Sequence, residues 1–509
     1  MSDLTIGWAV VRVGNVIALN PKNDAQDQTE AGFSPMQLLG TEFRSSVGFD
    51  SRPWGVIKKS YTHFANGDVL LAKITPCFEN GKAGLVAGMP NGIGAGSSEY
   101  FVCRPEPGVL EAKYLLAHFK KNSFLRSGAV KMTGSVGHKR VPKDYLLKSQ
   151  LPLPPIREQK RIADKLDAVL ARVDACRERL DCLPGILKRF RQSVLTAACT
   201  GGLTDEWRSR NADDVDASQL TQLIHLAHES SGGHKAGNAA APTEDVHDLT
   251  DKLFPAGWGL VTLRDIVRPD RPITYGILKP GPEIEEGVPY VRVADFPGEK
   301  LNLSTIRKTS PEMDREFKRS RLSTGDLLLS IRGTVGRLVV VPQALERANI
   351  TQDTARLSLQ AAVNRDFVLW YLRSEMAQSR MKGATKGVAV RGINIGDVRA
   401  LQIPLPSQKE QDEIVRRVES LFGWADRLEA RHAAARARVE RLTPSLLAKA
   451  FRGELVPQDP ADEPASELLK RLSQRPSATP TALVKRQGPK RHHAKASQAA
   501  SNVREESSS

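Results

Sequence analysis

From Ile162 onward apolar side chains recur at Leu166, Val169, Val173, Cys176, Leu180, Leu183, Leu187, Phe190 and Val194, in alternating steps of four and three. A period of 3.5 residues keeps one stripe facing a partner along a whole helix, so it predicts a coiled-coil seam. The same register returns at Ile414, Val418, Leu421, Ala425, Leu428, His432, Ala435, Val439, Leu442 and Leu446, where only His432 interrupts the apolar stripe. At about 1.5 Å per residue, such seams run on the order of 50 Å. One domain's core does not need that length, and a spacer rod does. Pro184-Gly185 falls inside the first seam and Pro444 inside the second. A proline in a helix interior costs roughly 3 kcal/mol, so a kink or break is expected there.

The two seams belong to one duplicated sequence. LPLPPIREQ begins at Leu151 and IPLPSQKEQ at Ile403. Gln159 and Gln411 stand 252 positions apart, and that offset holds without a gap over 53 positions with 14 identities. A period this long marks a duplicated module, not a solenoid. Upstream, GWAVVRVGNV from Gly7 resembles GWGLVTLRDI from Gly257, each reading as a short strand that enters a domain. NGDVLLAKI (Asn66 to Ile74) resembles TGDLLLSIR (Thr324 to Arg332), a Gly-Asp turn before a buried strand. GHKRVPKDYLLKSQLPLP from Gly137 aligns with VRGINIGDVRALQIPLP from Val390, and ASQLTQLIHLA from Ala217 weakly with ASELLKRL from Ala465.

The pattern therefore predicts a mixed α/β (α+β) protein of two half-molecules, each a globular domain followed by a helix. Each seam needs a cover. The simplest is the other copy, packed antiparallel with the globular domains at opposite ends; the alternative is that each stripe packs on its own neighbouring domain. The expected divisions are a first domain over 1–155, a helical spacer over 156–203, and a short helix with a flexible linker over 204–250. A second domain over 251–407, a second spacer over 408–456, a short helix over 457–472 and a basic tail over 473–509 follow. The linker assignment rests on the Gly-Ala-rich stretch from Ser230 to Asp248, and the tail has too few apolar residues to fold. Its KRQGPKRHH is either a loose hold on nucleic acid or a solvated surface.

Composition narrows the class. With 509 residues, 40% of them apolar, the chain can bury more than one core. Lys and Arg outnumber Asp and Glu by 74 to 58, a net charge of +16, which favours a polyanionic partner, most often nucleic acid. A solubilising surface is the plainer account, and the tail supplies part of the excess. Five scattered cysteines without a CxxC pair support neither a disulfide framework nor a zinc site. No basic segment followed by an apolar run opens the chain, and no apolar stretch is long enough to span a membrane, so a cytoplasmic protein is expected.

Catalytic signatures are missing. The sequence contains no P-loop and no Asn/Asp-Pro-Pro-aromatic cluster, and GIGAG (Gly92 to Gly96) lacks a following helix and an acidic ribose partner, so it reads as a turn. A nuclease reading would need Glu111, Lys113 and Asp68, but EAKYLLAHF has the pattern of an ordinary amphipathic helix. The sequence holds no HExxH motif, and the adjacent pair His492-His493 lies in the tail. No catalytic residue, metal or cofactor is expected on this chain.

LPLPPIREQKRIADKLDAVLARVD with ILKRFRQSVLTAACTGGLT, and the long segment from IPLPSQKEQ to LVPQDP, resemble the central and C-terminal conserved regions of the specificity subunits of type I restriction-modification systems. The resemblance implies two variable target-recognition domains alternating with two conserved helical regions. Each recognition domain reads one half of a bipartite double-stranded DNA site, and the paired helices fix the unread gap. It further implies two modification subunits, docked on the helices, which bind S-adenosylmethionine and methylate adenine. Restriction subunits add ATP- and Mg-dependent translocation and cleavage. The competing readings are a DNA-associated coiled-coil scaffold that does not read sequence and, third, an enzyme.

On the specificity reading, base recognition falls to the two heads, with Arg or Lys suited to guanine and Asn or Gln to adenine. Candidates beside predicted turns are Arg52, Lys58, Lys59, Lys73, Lys82, Lys131, His138, Lys139 and Arg140 in the first head. In the second they are Tyr275, Lys279, Arg292, Lys318, Arg319, Arg332, Lys382, Lys386 and Arg391. TGSVGHKR (Thr133 to Arg140) and TKGVAVRG (Thr385 to Gly392) stand out, because they occupy the same place in both halves and combine glycine turns with positive charge.

Overall fold

The computed structural model describes residues 5–135, 137–230, 253–385 and 392–474; the expected linker over 231–248 and the tail from 475 lie outside them. The chain forms two compact units, Met1–Ala171 with Thr443–Ser509, and Arg172–Leu442. These divisions cut through both long helices, Ile156–Cys199 and Gln408–Ala450, where the sequence placed boundaries at the helix ends.

Both units follow one plan, an antiparallel sheet beside a mixed one. In the first, an antiparallel sheet runs in the order Ile17–Leu19, Tyr100–Pro105, Val69–Ala72, Ala83–Leu85. The mixed sheet runs Asp50–Pro53, Glu30–Ser34, Ile93–Gly96, Thr62–Ala65, with its central pair parallel. In the second unit the antiparallel sheet is Thr274–Tyr275, Thr354–Leu357, Leu327–Ser330, Leu338–Val340. Its mixed sheet is Arg307–Thr309, Val288–Val291, Asn349–Ile350, the last two strands parallel.

The Gly-Asp turns precede buried strands in both units. Gly67 (φ 92°) and Gly325 (φ 89°) take the left-handed turn that a side chain would strain. The aspartates after them are buried and held by arginines: Arg104 Nε lies 2.7 Å from Asp68 Oδ1 and Arg271 Nη2 lies 2.9 Å from Asp326 Oδ2. Asp68 thus has a structural partner. GIGAG departs from its expected turn: only Gly92 (φ 73°) turns, and Ile93–Gly96 is an interior strand. A Cβ on Gly94 would come within 2.5 Å of Gly32 O and 2.3 Å of the Phe64 ring, so glycine is there for close strand approach. EAKYLLAHF forms the expected helix, Ala112–Phe119, but not an amphipathic one, since every side chain from Tyr114 to Phe119 is buried.

The repeated phrase joins each head to its long helix. Its LPLP half is a strand that closes the head: Gln150–Leu153 pairs antiparallel with Ala9–Arg12, and Gln402–Leu405 with Gly259–Thr262. Its Glu-Gln half is buried in both copies. Gln159 Nε2 donates to Val109 O and Pro154 O, both at 2.9 Å, and its Oε1 accepts Glu111 N at 2.9 Å. Gln411 repeats this with Pro406 O (2.9 Å) and Asn364 N (2.8 Å). The glutamates take the tryptophan of the Gly-Trp pair: Trp8 Nε1 donates to Glu158 Oε2 at 3.1 Å, and Trp258 Nε1 to Glu410 Oε2 at 2.9 Å. Ser407-x-x-Glu410 spells a capping box, but Glu410 is spent on the tryptophan, and Ser407 Oγ alone accepts from the helix, from Glu410 N at 3.4 Å.

Each unit also holds the end of the other long helix. Val194, Leu195, Ala198 and Cys199 join the core of the second unit together with Ile414, Val415 and Val418. In the first unit Phe451 lies 4.9 Å from the Tyr114 ring and 5.7 Å from His118, with the Lys121 ammonium 4.4 Å over its face. Gly201 and Gly453, both at φ 76°, follow the last turns as left-handed glycine caps do.

Between these ends the helices pair antiparallel within the second unit. Phe190 meets Trp424 edge to face at 5.5 Å, Arg191 Nη2 reaches Asp426 (2.5 Å) and Glu429 (3.0 Å), and Arg436 Nη1 reaches Asp181 (3.1 Å). Of the predicted seam, Ile162, Leu166, Val173, Leu187, Ile414 and Val418 are buried, and Val169, Leu180, Leu421, Leu428 and Val439 half-buried. Leu442 is a correction: it is 44% exposed, while Leu447 and Ala450 are buried in its place. A 3.6-residue helix drifts by about 20° per heptad against a 3.5 repeat, which carries the stripe past Leu442. Cys176 is exposed too. Of the expected kink or break, the break is absent, since both helices continue through Pro184 and Pro444. At Pro184 the carbonyl that loses its intrahelical partner, Leu180 O, receives His432 Nε2 at 2.9 Å.

The two buried glutamates predict opposite mutational outcomes. Glu410 Oε1 also accepts Arg208 Nη1 (2.7 Å) and Thr204 Oγ1 (2.6 Å), so Glu410→Ala leaves a mostly buried guanidinium with only Thr204 and the exposed Asp205 (3.1 Å) as partners. It is expected to cost roughly 1–3 kcal/mol of second-unit stability in denaturant unfolding. No hydrogen bond reaches Glu158 Oε1, and burial raises the pKa of this carboxyl despite Trp8 and Arg161. An acid whose pKa is raised on folding loses stability as pH climbs above its ordinary 4.5. Glu158→Gln should therefore raise the melting temperature of the first unit at pH 7 but not well below pH 4.5.

Candidate nucleic-acid interface

Three segments meet where the buried strand of the first unit ends. Lys73 N donates to Glu99 O (3.0 Å), Val141 N to Lys73 O (2.8 Å) and Thr75 N to Lys139 O (2.9 Å). Thr133 and Arg140 exchange both backbone bonds (3.0 and 2.8 Å), so TGSVGHKR is a short hairpin with Gly134 (φ 125°) and Gly137 (φ 82°) near its tip; Val136 lies outside the described residues.

The side chains on this edge are polar and partly committed. Arg140 grips Glu99 with two bonds, Nε to Oε2 at 2.9 Å and Nη2 to Oε1 at 2.8 Å. The Arg140 hydrogen bonds, with the charges of Lys73 and Arg140, hold the Glu99 carboxyl below the ordinary carboxylate range. Lys73 Nζ donates to Ser98 O (2.7 Å) and sits 5.7 Å from the Phe101 ring. His138 and Lys139 are exposed. Lys139 pairs with no acid among the described residues, which leaves its ammonium as the uncommitted charge of the hairpin.

The second unit repeats the frame with different side chains. Ile331 N donates to Asp353 O (2.8 Å) and Ile393 N to Ile331 O (2.9 Å), while Arg332 and Gly392 form the bridge that Ile74 and Arg140 form in the first. Exposed Arg332 donates to Gln352 Oε1 at 3.0 Å. A Cβ on Gly392 would lie 3.1 Å from both Ile331 O and the Arg332 side chain, so a bare backbone suits this crossing. Lys386 and Arg391 lie outside the described residues, and Lys382 is exposed at the end of the helix Glu375–Gly383.

The remaining candidates stand elsewhere. Arg52 lies over the Phe33 ring at 4.1 Å and near Asp50 at 3.7 Å, Lys58 pairs with Asp27, and Lys82 Nζ donates to Met36 O at 2.9 Å. Arg292 grips Asp295 (2.6 Å) and Thr305 O (2.8 Å), which braces a single 3-10 turn. These four charges are already engaged within the fold. Lys59, Lys131, Tyr275, Lys279, Lys318 and Arg319 are exposed, Lys131 with its ammonium 5.9 Å from the Tyr145 ring. The sequence reading missed Glu99 and Gln352. Their signal was a short polar break, Ser97-Ser98-Glu99 and Thr351-Gln352-Asp353, between two apolar runs at the same point of each half. Among the described residues no cluster of His, Cys, Asp or Glu could hold a metal ion, and no helix is long and apolar enough to cross a membrane.

The duplicated heads and paired helices are those of a known family. The family model described as the type I restriction modification DNA specificity domain matches residues 5–181 and 255–435, and the chain belongs to that family. It is 38% identical over 333 residues to the specificity subunit of the type I restriction enzyme EcoBI of Escherichia coli, a match covering 65% of this chain and 64% of that subunit, just under two thirds. It is 29% identical over 483 residues to the EcoAI specificity subunit of Escherichia coli, covering 84% of this chain and 79% of the relative. Two solved structures share the fold. A chain of a type I R-M system matches with a TM-score of 0.62 and 22% identity, covering 89% of this chain and 100% of its own. The HsdS subunit from Thermoanaerobacter tengcongensis matches with a TM-score of 0.57 and 21% identity, covering 89% and 98%.

The Arg140–Glu99 clamp carries its own prediction. Because folding lowers the Glu99 pKa, the clamp contributes fully above the ordinary value of 4.5 and is lost as pH falls through the folded one. Glu99→Gln at neutral pH should loosen the hairpin in the same way. Both should lower the amide-exchange protection factors of Thr133 and Arg140, taken against the intrinsic rate at the same pH, while the strand Val69–Ala72 keeps its protection.

Proposed function

We propose that this chain is the DNA-reading specificity subunit of a type I restriction-modification complex. Each head reads one half of a bipartite site and the paired helices set the unread gap. The observation that carries the reading is the recurrence of one three-segment edge in both heads: two of its backbone bonds and one strand bridge recur among the described residues, and its exposed side chains differ. A shared frame with different side chains is what reading two different half-sites requires. The hairpin around Gly134 and Gly137 is a two-stranded ribbon, a shape that the DNA major groove admits. Lys139 and Arg140 there, with Arg332, Gln352, Lys382, Lys386 and Arg391 in the second head, supply the charge and amide chemistry for phosphates and base edges.

The chain itself is a non-catalytic subunit that binds no cofactor and works in the cytoplasm. It docks two modification subunits, which carry S-adenosylmethionine and methylate adenine. Restriction subunits bring ATP- and Mg-dependent translocation and cleavage. The family membership supports this division of labour, and the basic composition supports a DNA partner.

Two measurements test the reading. A methylome of the host with and without the gene should lose one methylated-adenine motif made of two short halves around a fixed gap; equal affinity for all duplexes, with no motif lost, would favour the scaffold reading. In gel-shift titrations of the assembled complex, Lys139→Ala should weaken DNA binding and flatten the log–log salt dependence by about one unit, with assembly intact. Unchanged affinity and slope would remove Lys139 from the interface.

A further inference from the structure

Among the faults in the helical seams are a proline at 184 and a histidine at 432, and the structure brings His432 to the carbonyl one turn before that proline. Pro184 has no N–H, so Leu180 O, four residues earlier, has no intrahelical donor. His432 Nε2 lies 2.9 Å from that oxygen. A carbonyl oxygen only accepts, so His432 carries its hydrogen on Nε2 and donates. The one polar residue in the second stripe thereby satisfies the carbonyl that the proline leaves open in the first.

The position of this bond matters as much as its chemistry. Leu180 and His432 stand 252 positions apart, the offset of the repeat, so equivalent points of the two helices meet here. The contacts around it are permissive. Arg436–Asp181 is an exposed ion pair, both acids that face Arg191 are exposed, and such pairs contribute about 0–1 kcal/mol. Apolar stripes tolerate small shifts, whereas a single polar group in a seam accepts one register.

We propose that His432 is a positioning residue that splints the first helix at Pro184 and holds the pair in one register. Resting on the proposed function, this makes it a determinant of gap length: without the splint the proline bends the helix, and the complex accepts more than one spacing.

A double-mutant cycle on the full chain tests the splint without DNA. His432→Ala should lower the melting temperature by several degrees, and His432→Gln, which keeps an N–H donor, should recover part of the loss. In a Pro184→Ala background the helix donates to Leu180 O itself, so His432→Ala should then cost little. Equal losses in both backgrounds would reduce His432 to packing and overturn the proposal, as would no loss in either. In the assembled complex, His432→Ala should narrow the preference for the native gap over a gap one base pair longer or shorter by about tenfold or more, and Pro184→Ala should restore it. A coupled cycle with an unchanged gap preference would overturn the role in spacing. A coupled cycle in a complex that selects no DNA site at all would sink the functional reading and leave the splint standing.

Discussion

A carboxylate removed from water must be given donors, and this fold is organised around two of them. Glu158 and Glu410 begin the long helices, are buried, and take the indole N–H of the tryptophan that begins each head. One hydrogen bond therefore ties the first strand of a head to the first turn of its rod. The adjacent glutamines fasten the same turn to loops of the head through three bonds in the first copy and two in the second. Unlike an apolar contact, such a bond has a direction, so the helix leaves the head at a defined angle.

The duplication preserved this joint unevenly. The second copy surrounds its carboxylate with Thr204 and Arg208. The positions at the repeat offset in the first copy are Val456 and Pro460, which donate nothing from their side chains, and Glu158 is left with an open oxygen. The helix middles diverged in the opposite sense, since a lost donor at Pro184 is met by a gained one at His432.

Much of this was legible in the chain. The 3.5-residue stripes, the offset of 252 and the Gly-Asp strands all appear as elements, because local periodicity and repetition carry them. What was not legible depends on residues far apart in sequence. GIGAG read as a turn, since nothing nearby in sequence shows Phe64 and Gly32 closing on its glycines. Pro184 read as a kink or break because its remedy lies on another helix, and Leu442 read as seam because a strict heptad hides the drift of a real helix. On the candidate edge, Arg140 read as a candidate DNA contact with no partner in view, since the acid that holds it, Glu99, is 41 residues away.

The pairing of Ala9–Arg12 with Gln150–Leu153, and of Gly259–Thr262 with Gln402–Leu405, brings each head's first and last strands side by side. Neighbouring strands lie about 4.8 Å apart, so the chain enters and leaves a head through one narrow doorway. Everything between the doorposts is a cassette. A change of length or sequence that keeps those two strands leaves the start of the long helix with the same neighbours. On the proposed function, such an architecture would let the read sequence change while the helices that space it stay the same.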